Sequence, residues 1–431
     1  MKSVRYLCIA ALLALVPGAG AQDVQASAST QKESAPKSND GPMTIFGGEF
    51  SGTWHADGSV SVSESYDDNA FAQQGREGQA VSATTLGGTF TAAVEKQRWN
   101  YSMSYSPSFS IYKQLPELNG FSQTFAQQMG LVLGKHTKLN WGFSASLVPE
   151  NSGLPNFATS FGSLSLPTLQ LGALQNNANI VPLESSLTLT KQYSKRDTFE
   201  STVRGNGILI YGGTSSQFLS GNFQEQYGGY ADMGLQHAIS EVTSVGVSVS
   251  GTYLASPATL SHMWSETAGL TFQRRVGNRF SLSGEGGIDF QQNKLYPTAR
   301  KLDYEATATL TEFGLQHSIA LTASHRPQLG YSIGSIQTDT VAATASRNFY
   351  RRYSLAGAFT YGRGNSFGIA GTGNSSYTAQ GTFGFKFSDM MNMSLQYSHI
   401  KQDGFIAAGA GNFDRNVYAA VISRTFRILG R

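Results

Sequence analysis

From residue 98 to 112 the chain alternates with hardly a break. Trp99, Tyr101, Met103, Tyr105, Pro107, Phe109 and Ile111 are interleaved with Asn100, Ser102, Ser104, Ser106, Ser108 and Ser110. A side-chain period of two belongs to a β-strand, and a split this clean sets one face against an apolar medium and the other against water. The same division recurs on either side of a turn at 134–138. Phe121, Phe125, Met129, Leu131 and Leu133 precede it, and Leu139, Trp141, Phe143, Ala145 and Leu147 follow. It returns at Val245–Tyr253, at Phe280–Phe290 and at Tyr377–Phe387.

Extended along the chain, the pattern predicts strands at roughly 54–66, 81–95, 98–112, 121–134, 138–148, 183–192, 198–211, 222–237, 242–254, 263–274, 279–290, 302–313, 316–326, 336–346, 351–362, 376–388, 391–401 and 415–428. That makes eighteen, with sixteen as the alternative. The connections alternate in length, short at 96–97, 135–137 or 275–278 and long at 67–80, 149–182 or 402–414. Asp57-Gly58 could form a two-residue hairpin turn. Phe46, Phe50, Trp54, Val60, Val62 and Tyr66 nevertheless keep one parity through it, which favours a single long or bulged first strand.

A single sheet of so many strands either leaves edges open to pairing or closes on itself. In lipid closure is compulsory, because an unpaired backbone group there costs several kcal/mol. Aromatic residues cluster near strand ends, Trp99, Trp141, Tyr193, Phe280, Tyr353 and Phe426 beside the short turns and Tyr112, Phe121, Tyr253, Trp264, Phe290 and Tyr361 beside the long loops. Two aromatic girdles are what rings at both membrane interfaces produce. The expected fold is therefore all-β, a closed antiparallel up-and-down transmembrane barrel.

Composition narrows the function. Only 14% of the residues are charged, well under the usual quarter. The one cysteine, Cys8, lies in a segment that reads as a leader: Met1-Lys2-Ser3-Val4-Arg5, an apolar run from Tyr6 to Val16, then a small-residue end at Ala19-Gly20-Ala21. The domain reading is a signal peptide over 1–21, a flexible periplasmic tail over 22–44 and the barrel over 45–431. Zinc-thiolate sites, disulfides and cysteine nucleophiles are then excluded from the mature chain.

The last strand, Asn416 to Phe426, sets Tyr418, Ala420, Ile422 and Phe426 on one face. It resembles the C-terminal insertion signal of Gram-negative outer-membrane porin-like barrels, departing from it at Arg424 and in the five residues after Phe426. The architecture resembles that class over nearly the whole mature chain, including its uncharacterised members associated with exopolysaccharide genes. The resemblance implies an outer-membrane location, outer-membrane lipids and the barrel-assembly machinery as partners, and passive diffusion of small polar solutes. The alternatives are a conduit for polysaccharide export and a structural or adhesive barrel without transport.

Opposite the apolar face lie mainly Ser, Thr, Asn, Gln and Gly, with charges at Glu200, Arg204, Asp232, Arg279, Glu285, Asp289, Asp303, Glu305, Arg326 and Lys386. Carboxylates outnumber bases slightly, which suits neutral or weakly cationic solutes better than anions. The long connection 149–182 carries Leu154, Phe157, Phe161, Leu164 and Leu169, apolar content that suggests a constriction loop or lid. Bases including Lys96, Arg98, Arg274, Arg275, Arg347 and Arg352 flank the short turns, where anionic headgroups would sit. The seven histidines show no metalloprotease spacing, and Gly362–Gly373 lacks a phosphate-binding lysine. No enzyme activity, cofactor, metal or nucleic-acid partner is expected.

Overall fold

A computed structural model describes residues 43–45, 48–50, 53–69, 80–116, 119–149, 178–212, 226–256, 261–293, 301–330, 334–350, 352–366, 373–404 and 412–429. The expected leader, nearly all of the tail and the candidate constriction residues Leu154, Phe157, Phe161, Leu164 and Leu169 lie outside them.

Two short strands, β1 (Met43–Ile45) and β2 (Gly48–Phe50), pair only with each other. The barrel strands are β3 (Thr53–Asp67), β4 (Val81–Glu95), β5 (Trp99–Tyr112), β6 (Gly120–Gly134), β7 (Thr137–Pro149) and β8 (Ala178–Gln192). They continue as β9 (Asp197–Gly212), β10 (Gln226–Ser240), β11 (Thr243–Ser256), β12 (Ser261–Val276), β13 (Phe280–Asn293) and β14 (Lys301–Phe313). The last six are β15 (His317–Gly330), β16 (Gly334–Phe349), β17 (Tyr353–Ser366), β18 (Gly373–Lys386), β19 (Met391–Gly404) and β20 (Phe413–Leu429). Each pairs antiparallel with its sequence neighbour, and β20 pairs with β3 to close the ring. The count of eighteen follows the alternation, because every pattern of period two found a partner on both sides.

Two details differ from the sequence reading, and a third follows it. The barrel begins at Thr53 rather than at 45, since 43–50 form their own ribbon. Asp57-Gly58 is no turn, in keeping with the single parity that runs through it: β3 continues straight across, and Gly58 is where the Phe426 ring lies across the strand, in the space a Cβ would need. Two connections expected to be long are short, because the strands outrun their apolar pattern. β11 and β12 pair as far as Ser256↔Ser261, and β15 and β16 as far as Gly330↔Gly334.

Register decides which face is which. Ser248 on β11 donates to Glu285 on β13 at 2.8 Å, and Thr267 on β12 lies 3.0 Å from Glu305 on β14, each contact reaching past an intervening strand. Side chains converge like that only on the concave side of a sheet, so the hydroxyl-rich face is the interior. The other face carries Val247, Val249, Leu270, Ile288, Leu321 and Leu395, all exposed. Leu270, the partner of Gly286, is 68% exposed, a figure that makes sense only against lipid.

The outer face is banded. At the short-turn end sit Tyr193, Phe280, Tyr353 and Phe426, with Lys96 over the Trp99 ring at 5.1 Å, Lys191 over Tyr193 at 4.7 Å and Arg347 over Phe349 at 4.8 Å. Rings paired with bases suit an interface of apolar chains and anionic headgroups. Arg424, the odd residue of the last strand, lies in this zone, opposite Met391 and Val60. A long cationic side chain there can lay its stem on the apolar band and its charge in the headgroups. At the other end sit Phe121, Trp264, Phe290 and Tyr361. Tyr112, expected among them, points inward instead. Its parity is opposite to that of Trp99, and it packs with Val81, Ala83 and Leu115.

The ring is not round. Cα atoms of β12 and β16 approach to within 8 Å although three strands separate them along the sheet. Inward-facing Gly269 and Gly287 are direct register partners, and a Cβ on Gly269 would stand 2.9 Å from the Gly286 carbonyl oxygen. Only absent side chains allow so sharp a concave bend. The bend folds β13, β14 and β15 into a side lobe, and the inward-facing Met263, Ser265 and Thr267 on β12 and Thr338 and Thr340 on β16 are all buried.

Candidate functional site: an acidic lumenal wall

Charge is distributed unevenly around the interior. Between the rims, inward positions of β8 to β15 carry Glu184, Glu200, Arg204, Asp232, Glu285, Asp289, Asp303, Glu305 and Arg326, seven carboxylates against two guanidiniums. On β16 to β20 and β3 to β7 the interior between the rims is uncharged and mostly Ser, Thr, Ala, Gly and Gln, as in Thr340, Ala342, Thr344 and Ser346 or Ser59, Ser61, Ser63 and Ser65, with Val417 and Val421 among them on β20. One arc of the wall is acidic, and the facing arc is neutral and hydroxylated.

The acidic arc has two parts. Inside the side lobe, Asp289 is fully buried directly opposite Asp303 in the β13–β14 register. Two carboxylates so placed repel unless donors hold them. Ser265 and Gln291 donate to Asp289, and the Thr267 hydroxyl lies 3.1 Å from it and 3.0 Å from Glu305, one proton between two acids. Arg326 completes the set. Its Nε lies 2.8 Å from Glu305 Oε1 and donates to Thr307 Oγ1 at 2.9 Å, while Nη2 reaches Glu285 Oε2 at 3.4 Å. Those charges are largely committed to one another.

Along β8, β9 and β10 the acids stand outside the lobe. Arg204 is the register partner of Ser186 and Tyr230, and its guanidinium lies 5.9 Å from the Tyr230 ring. Glu184 sits opposite Asn206, two residues from Arg204's partner Ser186 and on the same face, and Asp232 opposite Thr202. Glu200, nearer the short-turn end, is exposed. Charges there face the main lumen and can act on whatever occupies it.

Of the residues singled out from sequence, Glu200, Arg204, Asp232, Glu285, Asp289, Asp303, Glu305 and Arg326 share this arc. Lys386 faces inward at the last position of β18, where it pairs with Asp389 of the adjoining turn at 2.8 Å. That hydrogen bond and charge hold the Asp389 carboxyl below its ordinary range. Arg279 is the correction: it lies in the exposed turn before β13, since that strand starts at Phe280 and the preceding Gly277 takes a left-handed turn conformation, φ 61°. Glu184 was missed, although it shares the parity of Ser186, Thr188 and Thr190.

A second polar site went unseen because it joins the two ends of the barrel. Arg415 on β20 is bidentate on Asp67 of β3, with Nε 3.0 and 2.9 Å from the two carboxylate oxygens and Nη2 on the second. Beside it, Asn416 donates to Asp68 from its backbone at 2.6 Å and its side chain at 2.7 Å. These contacts seal the closing seam at its loop end.

No protein-family model matches the sequence, and no curated protein does. Among solved structures, the chain is similar to Pseudomonas aeruginosa OccK1 (OpdK), with 12% identity over 86% of this chain and 98% of that one, TM-score 0.43. It is similar to OccK2 (OpdF) of the same organism, solved with glucuronate, at 10% identity over 88% and 100%, TM-score 0.46. A BenF-like porin from Pseudomonas fluorescens Pf-5 matches at 10% identity over 86% and 99%, TM-score 0.44. At such identities the likeness concerns the fold, and the strand pairing above establishes the closed barrel independently.

Proposed function

We propose that the chain spans the outer membrane of a Gram-negative cell and conducts small polar solutes passively, favouring neutral and cationic ones over anions. The observation that carries this reading is the two-sided wall, apolar and aromatic-banded outside, hydroxylated and acidic inside. Barrels of this strand number enclose water unless plugged. Within such a lumen, hydroxyls replace lost hydration around a neutral solute, and the acidic arc raises the local concentration of cations. Outer-membrane lipids cover the apolar belt, and the barrel-assembly machinery would meet the chain through β20, whose Phe426 is already seated against Gly58.

Swelling of liposomes that contain the purified protein tests the reading. Uncharged sugars and small amines should enter, and carboxylate-bearing solutes of the same size should enter more slowly. Vesicles that never swell, or that swell faster in the anionic solute, refute it.

A further inference from the structure

Seventeen of the eighteen barrel seams run close to the ends of their strands, but that between β14 and β15 stops short. Its ladder ends at Ala306↔His325. Beyond it, β14 continues to Lys301 on its other side, paired with β13, and β15 continues to Gly330, paired with β16. No residue of Lys301–Glu305 pairs with any of Arg326–Gly330. Pro327 lies two residues past the last pair, and a proline gives the ladder no N–H, as at a sheet edge. Five residues at the strand rise make a slot of about 16 Å in the loop-end half of the wall.

Side chains stand where backbone bonds would be. Tyr304 and His325 stack at 4.0 Å with planes 12° apart. His325, on the outer face, reaches Asp339 at 2.5 Å and, through the gap, Asp303 at 3.8 Å on the inner face. On the lumenal side Arg326 bridges to Glu305. Outside, Leu302 and Tyr304 are exposed on the apolar face. A covalent or fully hydrogen-bonded seam is permanent on functional timescales, whereas a seam closed by side chains, through a ring stack, two ion pairs and the Arg326–Thr307 hydrogen bond, can part without breaking a ladder.

We infer that the β14–β15 seam is a latched side door, through which small apolar or amphipathic molecules pass between the side lobe of the lumen and the outer lipid leaflet. Arg326–Glu305 and Tyr304–His325 form its latch. The door adds a lateral route to the axial one and goes beyond the channel reading.

Full-length protein carrying Tyr304→Cys and His325→Cys tests it, with N-phenyl-1-naphthylamine uptake by cells bearing the protein in the outer membrane as the lateral readout. Planar-bilayer conductance reports the axial route. Oxidation should reduce the protein-dependent dye uptake to the background of cells without the protein and leave conductance unchanged, and reductant should restore uptake. Arg326→Ala should raise uptake. Dye uptake unaffected by the disulfide overturns the door, as does a conductance that falls in step with uptake or a wild-type protein that adds no uptake. Dye passage that the disulfide blocks, in a protein with no ionic conductance, supports the door and sinks the axial channel instead. Should the double variant not fold, amide exchange in the wild-type protein decides: amides of 302–305 and 328–330 should exchange about tenfold or more faster than those of 307–312, and equal protection overturns the proposal.

Discussion

Removing Arg415 should loosen the barrel where its first and last strands meet. The side chain is 1% exposed and its partner Asp67 12%, so the pair is all but withdrawn from water. Arg415→Ala strands a buried carboxylate whose other donor is the Asn69 amide at 3.1 Å. Breaking a buried pair from one side costs about 3–5 kcal/mol. The pair joins residues 348 positions apart, across the single seam that neighbours in sequence do not form. Asp67→Leu combined with Arg415→Ala removes both charges and should recover most of the loss. The assay is urea unfolding of the detergent-folded protein, followed by tryptophan fluorescence and by heat-modifiable mobility. A loss below about 1 kcal/mol for Arg415→Ala would show the seam held by backbone pairing alone, and a double variant worse than the single one would refute the buried-charge argument.

Three other changes read out separate parts of the molecule. Gly269→Ala sets a methyl against the Gly286 carbonyl, where backbone cannot yield easily, so the urea midpoint should fall by the equivalent of about 1–3 kcal/mol, while Gly229→Ala, with its nearest neighbour at 3.7 Å, should cost less. Glu200→Gln with Asp232→Asn neutralises acids of the main lumen and should lower cation preference in bilayer recordings. That preference should also shrink as salt shortens the screening length from about 10 Å at 0.1 M to about 3 Å at 1 M. Phe426→Ala empties the ring from the Gly58 notch and should slow folding into vesicles, measured by the appearance of the heat-modifiable band.

How much of this was legible in the residues depends on how local each cause is. Strand positions, strand count and the identity of the inner face follow from alternation, because side-chain direction is fixed by each residue's immediate neighbours. Trp99 through Ile111 predicts β5 on its own. Pairing partners and curvature are not local. Gly246, Gly269 and Gly287 read merely as small residues until the register brings Gly269 opposite Gly287 and turns absent side chains into a bend. Pro327 reads as the start of a loop, and only the ladder shows it as the point where β15 continues with one neighbour instead of two. Tyr112 was assigned to the outer girdle by its place near a strand end, and parity should have overruled that. The charges were located by parity, but whether they face solute or each other depended on the close approach of β12 and β16.

The central claim is a ring of strands, lipid-facing outside and water-facing inside, whose inner charge is negative on one arc. Single-channel recording in a salt gradient across a planar bilayer measures both halves at once. The account predicts stable conductance steps with a reversal potential of the sign set by the cation. A purified protein that gives no steps, or a reversal potential of the opposite sign, would contradict it.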